Sequence, residues 1–187
     1  MGLNLPTTVT TRDGAELAVR PLRASDRDVL QTFNRELSDD SRRLFLPHGY
    51  DDATVAKALA RSEARDDLTL GVFAGERLVG YFFLWYFTRP VPLLGIGLVD
   101  DFQGRGLGRN MMAILLDAAR QSERDGVELT TCLDNKRAFA LYEKVGFEHY
   151  ADVQNMQGQG KWVTEHAMFY RIKPGAKPMD EPHQPPV

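Results

Sequence analysis

The sequence contains a single cysteine, Cys132, in 187 residues. One cysteine cannot form an intramolecular disulfide, and it excludes a structural zinc site built from several thiolates. The chain also lacks a long apolar run, since its longest, residues 78–87, is far shorter than the roughly 20 residues that span a bilayer. The first residues lack the basic and apolar segments of a signal peptide. We therefore expect a soluble, cytoplasmic protein without a membrane partner.

An excess of positive charge is missing as well, because 23 Lys and Arg residues stand against 26 Asp and Glu residues, for a formal charge of −3. Proteins that bind nucleic acids mainly through phosphates usually carry a basic excess, so we expect no nucleic-acid partner. The rest of the composition is that of a folded domain, with 43% hydrophobic and 10% aromatic residues. The length suits one domain.

Hydrophobic periodicity and turn signals predict a mixed α+β domain over residues 1–172. Asp13-Gly14, between two β-rich segments, is a strong signal for a hairpin. The predicted strands are 7–12, 15–20, 68–74, 78–87, 93–99, 127–133, 147–153 and 161–171. The predicted helices start after Ser25-Asp26 and cover about 53–64, 107–124 and 135–145, and residues 38–52 show no regular pattern. Residues 173–187 contain five prolines, and we expect this tail to be disordered.

A glycine-rich loop connects a predicted strand to the helix that follows it. Gly104, Gly106 and Gly108 leave room for a ligand to approach the backbone, and Arg105 and Arg109 add positive charge. Converging N–H groups at a helix N-terminus bind anions. The loop therefore predicts a site for a phosphate or pyrophosphate group.

Two common phosphate-binding loops do not match this segment. A P-loop places Lys and then Ser or Thr after its last glycine, where this chain has Arg109-Asn110. A Rossmann loop requires a third glycine where Arg109 stands, and it follows its strand directly, whereas residues 100–103 intervene here. Gly95 and Gly97 lie inside the preceding strand, and we interpret them as points of close approach by a ligand.

The pattern Gln103-x-x-Gly106-x-Gly108 resembles the Q/R-x-x-G-x-G/A signature of the GNAT acetyltransferase superfamily, whose loop binds the pyrophosphate of acetyl-CoA. Residues 135–147 are similar to a second signature of that family, N-x-x-A-x-x-x-Y-x-x-x-G-F. The resemblance covers about residues 8–171, in the family's order of elements.

The resemblance implies the GNAT fold, with a central, mostly antiparallel sheet of six to seven strands and about four flanking helices. It also implies that the sheet splays between the strand before the glycine loop and the strand after its helix. The pantetheine arm of acetyl-CoA would lie in that gap, against the backbone of Leu98, Val99 and Asp100. An N–H group of Ile96 or Gly97 would lie near the thioester carbonyl.

The cofactor-binding residues that the resemblance implies are Leu98, Val99, Asp100, Gln103, Gly104, Arg105, Gly106, Leu107, Gly108, Arg109, Asn135 and Tyr142. Tyr142 is also the implied catalytic residue, since a phenol is neutral at pH 7 and can protonate the departing CoA thiolate. The alternative for Tyr142 is simple packing beside Leu141 and Val145. Lys136-Arg137, at the start of the same helix, are expected to be solvated surface charges.

The general base is left open, because the strand at 93–99 contains no acidic residue. Asp100 is close, but we expect it to be a solvated charge, and His48 is a second candidate that also suits an ordinary surface residue. Cys132 is expected to be a small core residue, with no motif to support a covalent route. The remaining histidines, His149, His166 and His183, have no motif support.

The resemblance therefore implies an N-acetyltransferase that moves an acetyl group from acetyl-CoA to a small amine or a protein amine. The transfer would occur by direct attack in a ternary complex, with acetyl-CoA as co-substrate and no metal. The alternative is a non-catalytic acyl-CoA sensor with the same fold. Residues 7–20 and 38–52 should shape the acceptor site, and Tyr81, Trp85 and Tyr86 could line it. A homodimer is an open alternative for the oligomeric state.

Overall fold

The computed structural model describes residues 5–157, 160–179 and 184–187, and these residues form a mixed α+β fold, as expected. Its strands are β1 (Thr7–Thr10), β2 (Glu16–Pro21), β3 (Leu68–Ala74), β4 (Arg77–Trp85), β5 (Leu93–Leu98), β6 (Gly126–Cys132), β7 (Glu148–Gln157) and β8 (Lys161–Arg171). Its helices are α1 (Arg27–Glu36), α2 (Asp39–Leu44), α3 (Asp52–Glu63), α4 (Leu107–Gln121) and α5 (Lys136–Val145). Two short 3-10 turns cover Ala24–Asp26 and Asp100–Phe102.

All eight strands form one sheet, in the order β1-β2-β3-β4-β5-β6-β8-β7. Every neighbouring pair is antiparallel except β5 and β6, which are parallel. The described residues thus contain eight strands, as many as the residue pattern predicts, and five helices, slightly more than the six to seven strands and about four helices that the resemblance implies. The additional helix is α2, in a stretch that we expected to be irregular. The Ser38 hydroxyl caps it by accepting the Ser41 N–H at 3.2 Å.

The sheet splays at its parallel pair of strands. Leu93 and Glu128 are the one pair in register between β5 and β6 in the described part of the chain, and the Glu128 N–H donates there to the Pro92 carbonyl at 3.0 Å. In contrast, β5 stays paired with β4 along its whole length, from Leu93 to Leu98. The two parallel strands therefore diverge beyond Leu93, and one edge of β5 faces a gap. This confirms the predicted opening of the sheet.

The two glycines of β5 have a packing role that we did not expect. A Cβ atom at Gly95 would lie 2.2 Å from the ring of Phe83, and one at Gly97 would lie 2.4 Å from the ring of Phe45. Aromatic rings therefore fill the space that side chains would take at both positions, and only glycine leaves room for them. The interpretation of these glycines as points of approach for a ligand stays a prediction, and Gly95 lines a cavity described below.

The apolar residues of helix α4 recur with the helical period and are buried in the core. Leu107, Met111 and Leu115 recur every four residues on one face, and all three are fully buried. Burying a side chain of this size contributes about 1.5–3 kcal/mol relative to leaving it exposed. Because α4 is fixed against the sheet in this way, its first turn is held at the end of β5, beside the gap.

The described part of the tail, residues 173–179 and 184–187, contains neither helix nor strand. The Met179 N–H donates to the Glu128 carboxylate at 2.6 Å, and the Tyr86 hydroxyl donates to the Gln184 carbonyl at 2.7 Å. Residues 180–183, which include His183, lie outside the described part, so the expected disorder of the tail stays a prediction. Among the described residues, no helix is long and apolar enough to cross a membrane.

Candidate functional site

The glycine loop between β5 and α4 presents a row of backbone N–H groups. Gly104 and Gly106 have φ values of +76° and +90°, a left-handed conformation that glycine adopts without strain. Across the described residues, no acceptor bonds the N–H groups of residues 104–108, which include the start of α4. The helix dipole adds positive potential at the same place. The loop therefore has the geometry of an anion-binding site.

Two arginines beside this loop were missed from the sequence. Arg12, between β1 and β2, donates its N–H to the Arg105 carbonyl at 2.9 Å and its guanidinium to the Gly104 carbonyl at 3.4 Å. A Cβ atom at Gly104 would lie 3.4 Å from the guanidinium of Arg137, which we expected to be only a surface charge. No local signal could place Arg12 here, because it is 92 residues from Gly104 in the chain. Both side chains bring positive charge to the loop.

The two predicted arginines of the loop differ in their surroundings. Arg105 forms an ion pair with Asp13 and lies over the ring of Phe102, 4.7 Å from the ring centroid. The Arg105 guanidinium lowers the pKa of the Asp13 carboxyl to about 2. Arg109 is exposed on the first turn of α4, and its charge faces solvent. Arg105 is therefore ion-paired with Asp13, whereas Arg109 has no ion-pair partner among the described residues.

The edge of β5 that faces the gap can be identified from its hydrogen bonds. The Val99 N–H donates to the Val79 carbonyl at 3.1 Å, on the β4 side. Because successive residues of a strand point their N–H groups to opposite sides, the Gly97 N–H also points to β4. The N–H groups of Ile96 and Leu98 point into the gap. Of the backbone donors expected to meet a ligand, the geometry favours Ile96 over Gly97 and Leu98 over Val99.

Asp100 and Gln103 connect the loop to α2. The Asp100 carboxylate accepts hydrogen bonds from the Ser38 N–H at 3.2 Å and from the Ser41 hydroxyl. Gln103 donates to the Ser41 hydroxyl at 2.9 Å and to the Leu98 carbonyl at 3.3 Å. The hydrogen bonds from Ser41 and Ser38 lower the pKa of Asp100. Asp100 is exposed, as expected for a solvated charge, and its hydrogen bonds also hold α2 against the loop.

Helix α5 lies beside the loop and presents Asn135 and Tyr142. Asn135 caps the helix by accepting the Ala138 N–H on its side-chain oxygen at 3.3 Å. A Cβ atom at Gly108 would lie 3.3 Å from a methyl group of Leu141, so α5 touches the first turn of α4. The next residue, Tyr142, is half-buried and packs against Phe147 with 5.9 Å between ring centroids.

The hydroxyl of Tyr142 is chemically suited to give a proton. Burial, together with the negative charge of Glu165, raises the pKa of Tyr142 to about 12. Within the described part of the chain, this hydroxyl has no hydrogen-bond partner in the protein, although the ring is packed. The phenol is therefore protonated at neutral pH.

A cavity of about 90 Å³ opens where β5 and β6 begin to diverge. Its walls are formed by the segment after α2 and by strands on both sides of the gap, at Leu44, Phe45, Leu46, Pro47, Phe83, Leu93, Leu94, Gly95, Thr130, Thr131, Asn155, Met156, Gln157, Glu165 and Pro185. One wall is therefore apolar and the other is polar. Glu165, on β8, is the acidic residue among these walls, and its sequence context carried no motif that could have identified it.

Three residues that we expected at an acceptor site, His48, Tyr81 and Trp85, are buried in the core instead. His48 is completely buried, with Nδ1 2.7 Å from the Gly49 carbonyl and Nε2 3.2 Å from the Tyr81 hydroxyl. Desolvation lowers the pKa of its imidazole. Tyr81 and Trp85 are buried in the same aromatic cluster, and Phe83, between them on the strand, contacts the cavity instead. His48 is therefore neither the surface residue nor the base at the acceptor site that we considered from the sequence.

Cys132 lies near the cavity without being reactive. Its thiol is 3.7 Å from the Glu165 carboxylate, and the Gln157 amide donates to the sulfur at 3.6 Å. Burial and the negative charge of Glu165 raise the pKa of the Cys132 thiol to about 11. The thiol is only partly buried, so it is not the core residue that we expected. A protonated thiol is a poor nucleophile, so the arrangement does not favour a covalent intermediate at Cys132.

Comparison with known proteins identifies sequences and structures similar to this chain. The chain is 39% identical over 83 residues to the N-alpha-acetyltransferase RimI of Mycobacterium tuberculosis, a match that covers 42% of this chain and 51% of that protein. Among solved structures, the GNAT domain of S. lividans PAT superposes with a TM-score of 0.73 at 16% identity, covering 89% of this chain and 97% of that one.

Mycobacterium smegmatis RimJ, solved in complex with CoA-disulfide, superposes with a TM-score of 0.70 at 18% identity, over 91% of this chain and 90% of that one. At these identities the superpositions show the fold alone. The family model described as acetyltransferase (GNAT) family matches residues 30–147, which is more than half of the chain. The chain therefore belongs to the GNAT acetyltransferase family.

Proposed function

We propose that the protein transfers an acetyl group from acetyl-CoA to a primary amine, by direct attack in a ternary complex. The observation that carries this proposal is the row of unbonded N–H groups at residues 104–108, placed at the end of the strand that borders the gap. An anion site and an adjacent slot for an extended chain suit one ligand with a pyrophosphate and a long arm. Acetyl-CoA has both.

The residues around the loop fit that ligand. Gly104 and Gly106 carry no side chain over the N–H groups, and Arg12, Arg109 and Arg137 supply positive charge near them. Further contacts to the phosphates and the pantetheine arm are proposed for residues between the loop and the gap, namely Leu98, Gln103, Gly108 and Asn135. The N–H group of Ile96 faces the gap and would donate to the thioester oxygen as negative charge develops there.

Tyr142 is the proposed catalytic acid. It would give its proton to the sulfur of CoA as the carbon–sulfur bond breaks, which is possible because its pKa of about 12 keeps it protonated at neutral pH. Transfer through Cys132 is disfavoured by the raised pKa of that thiol, so the amine attacks the thioester directly. The acceptor is a small amine or a protein amine. The reaction needs no metal in this proposal, and a cytoplasmic location would give access to acetyl-CoA.

The test is the release of free thiol from acetyl-CoA with a panel of primary amines, together with CoA binding by calorimetry. In Tyr142→Phe, kcat should fall by about 10²–10⁴-fold, the typical contribution of a general acid, while CoA affinity stays unchanged. Tyr170→Phe, which removes a hydroxyl bonded to Arg120 on the surface, is the matched control. CoA binding without thiol release for any amine would favour the acyl-CoA sensor. Equal loss of activity and CoA affinity in Tyr142→Phe would contradict the role of Tyr142.

A further inference from the structure

The cavity beside the gap contains a buried carboxylate without a cationic partner. Glu165 is only 6% exposed. Its oxygens accept hydrogen bonds from Asn155 at 2.9 Å, from Gln157 at 3.2 Å and from the Cys132 thiol at 3.7 Å, all of which are neutral groups. In the described part of the chain, no lysine, arginine or histidine forms an ion pair with it. Its charge is therefore solvated by amides on one side and faces the cavity on the other.

The groups around Glu165 hold it in place. The Asn155 amide also donates to the Thr130 hydroxyl at 3.0 Å, and the Gln157 amide also donates to the Cys132 sulfur. Asn155 is itself buried, so its orientation is fixed by packing as well as by these bonds. Burying a carboxylate without an opposite charge is costly. A cation bound in the cavity would offset that cost.

We propose that Glu165 binds the ammonium group of the acceptor and accepts a proton from it, which makes the acceptor a cationic primary amine. This inference rests on the proposed acetyl transfer. The apolar wall of the cavity, at Phe45, Phe83 and Leu93, would contact the carbon chain behind the nitrogen. A cavity of about 90 Å³ has room for the ammonium group and for carbon atoms next to it.

Glu165, Tyr142 and solvent account for every proton that moves during the proposed acetyl transfer. One proton of the ammonium moves to Glu165 and then to solvent, which leaves the nitrogen lone pair free. The carbon–nitrogen bond forms and the carbon–sulfur bond breaks, and Tyr142 gives its proton to the sulfur. The nitrogen loses its second proton after attack, and this proton restores the Tyr142 phenol. The products are the amide, CoA as free thiol and one released proton.

Glu165→Gln tests the proposal while keeping the shape of the side chain. We expect kcat/KM for the amine at pH 7 to fall by about 100-fold or more, and to recover partly as the pH rises and the free amine becomes abundant. KM for acetyl-CoA and CoA binding should not change. Glu148→Gln, an exposed carboxyl on β7, is the control. An unchanged kcat/KM and pH profile in Glu165→Gln would overturn the role of Glu165.

Two further measurements keep the proposal testable. If Glu165→Gln loses CoA binding through misfolding, two ligands are compared on the wild-type protein instead. One is an accepted amine, and the other is the alcohol in which a hydroxyl replaces its ammonium group. The alcohol should bind about tenfold more weakly or worse, since a charge-assisted hydrogen bond is lost, and equal binding would refute a cation site. Failure of the wild type to acetylate any amine would instead overturn the proposed function.

A second, independent cluster lies on the β7–β8 hairpin. Asp152 and His166 face each other in register, and His149 lies three residues before Asp152, across an irregularity in β7. The Asp152 carboxylate oxygen is 2.9 Å from His149 Nε2 and 2.7 Å from His166 Nδ1. All three ligand atoms lie within 4.8 Å of one another. Phe139 of α5 packs against both imidazole rings, at 5.9 and 4.9 Å between centroids.

The structure assigns these three side chains to a binding site for a divalent transition-metal ion such as zinc. Two imidazoles and a carboxylate on paired strands form a ligand set for zinc, whose bonds to them are about 2.0–2.2 Å long, and the ion would replace the hydrogen bonds between them. Water would complete the coordination, because His149 and Asp152 are exposed. We expected no metal from the sequence, since nothing in the order of these residues shows that the strands pair them.

The test is titration of the purified full-length chain with zinc alone, after dialysis against a chelator, by calorimetry and metal analysis. We expect one equivalent to bind in the micromolar range or tighter, and binding to weaken at least about tenfold in His166→Ala. Glu148→Gln, on the same hairpin, should bind as the wild type does. The absence of saturable binding, or undiminished binding in the His149→Ala/His166→Ala double variant, would refute the site.

Discussion

Substituting Gly106 gives the sharpest test of the anion site. Gly106 is the residue before α4, and its φ of +90° is left-handed. Any L residue there pays about 1–2 kcal/mol for that conformation. A Cβ atom would lie 3.2 Å from the side-chain stem of Arg12, which is flexible enough to move by a few tenths of an ångström. In Gly106→Asp, the new carboxylate at the start of a helix can accept N–H bonds and so offsets part of this cost. The variant should therefore fold.

The same carboxylate should prevent CoA binding. It would occupy N–H groups that the phosphates need, and it would place a negative charge about 5 Å from them. At an effective dielectric constant of about 20, each phosphate charge at that distance is repelled by about 3 kcal/mol. Because 1.4 kcal/mol corresponds to a tenfold change in affinity, one such repulsion weakens binding by about 100-fold. Gly106→Asn has the same shape without the charge, and it should weaken binding much less.

Calorimetric titration with CoA, at low and at high salt, separates these contributions. The difference between the Asp and Asn variants should shrink at high salt, because screening weakens the repulsion. Gly75→Asp is the matched control, since Gly75 is also left-handed, with a φ of +62°, and has open space around it. Its stability should fall while CoA affinity remains that of the wild type. Equal CoA affinities for wild type and Gly106→Asp would refute the assignment of the loop to the phosphates.

Three further predictions concern stability and charge. Gly95→Ala should destabilise the fold by about 2–3 kcal/mol in urea unfolding, because its methyl group would overlap the ring of Phe83; a neutral effect would contradict the packing described. Asp26 has its pKa lowered by the Arg20 guanidinium, so the stabilisation from this pair is present above pH 3.8 and is lost as the pH falls through the lowered pKa. The stability difference between wild type and Asp26→Asn should therefore disappear at low pH, and a constant difference would argue against it. Arg12→Ala should weaken CoA binding by about tenfold with little change in Tm, whereas unchanged binding would show that Arg12 does not meet the ligand.

The features that sequence could predict are those whose signals are local. Asp13-Gly14 marks a hairpin, and Gly14 takes a left-handed conformation in its turn, with φ +88°. Gly146 ends α5 in a left-handed conformation, with φ +109°. Helix α2 escaped prediction because it has no buried residue, so its sequence shows no apolar stripe. His48 shows the opposite failure, since nothing in Pro47-His48-Gly49 indicates that tertiary packing buries the ring completely.

Features of the site that depend on strand pairing could not be predicted. Arg12 reaches the glycine loop only because β1 and β2 end beside it, and Glu165 reaches the cavity only because β8 lies next to β6. Strand alternation predicts that Glu165 and His166 point to opposite faces. It does not indicate which face borders a cavity. The general base therefore stayed open at the level of sequence, although its most suitable candidate was a plain glutamate in a predicted strand.

The alternation on β8 also explains how an acid and a base can serve one reaction. Glu165 lines the cavity, whereas the next residue, His166, contacts Phe139 of α5, the helix that carries Tyr142. The proposed base and the proposed acid therefore approach the gap from opposite faces of the sheet. With the sheet between them, Glu165 acts on Tyr142 only through its charge, which helps to raise the pKa of the phenol and so keeps the acid protonated until sulfur departs.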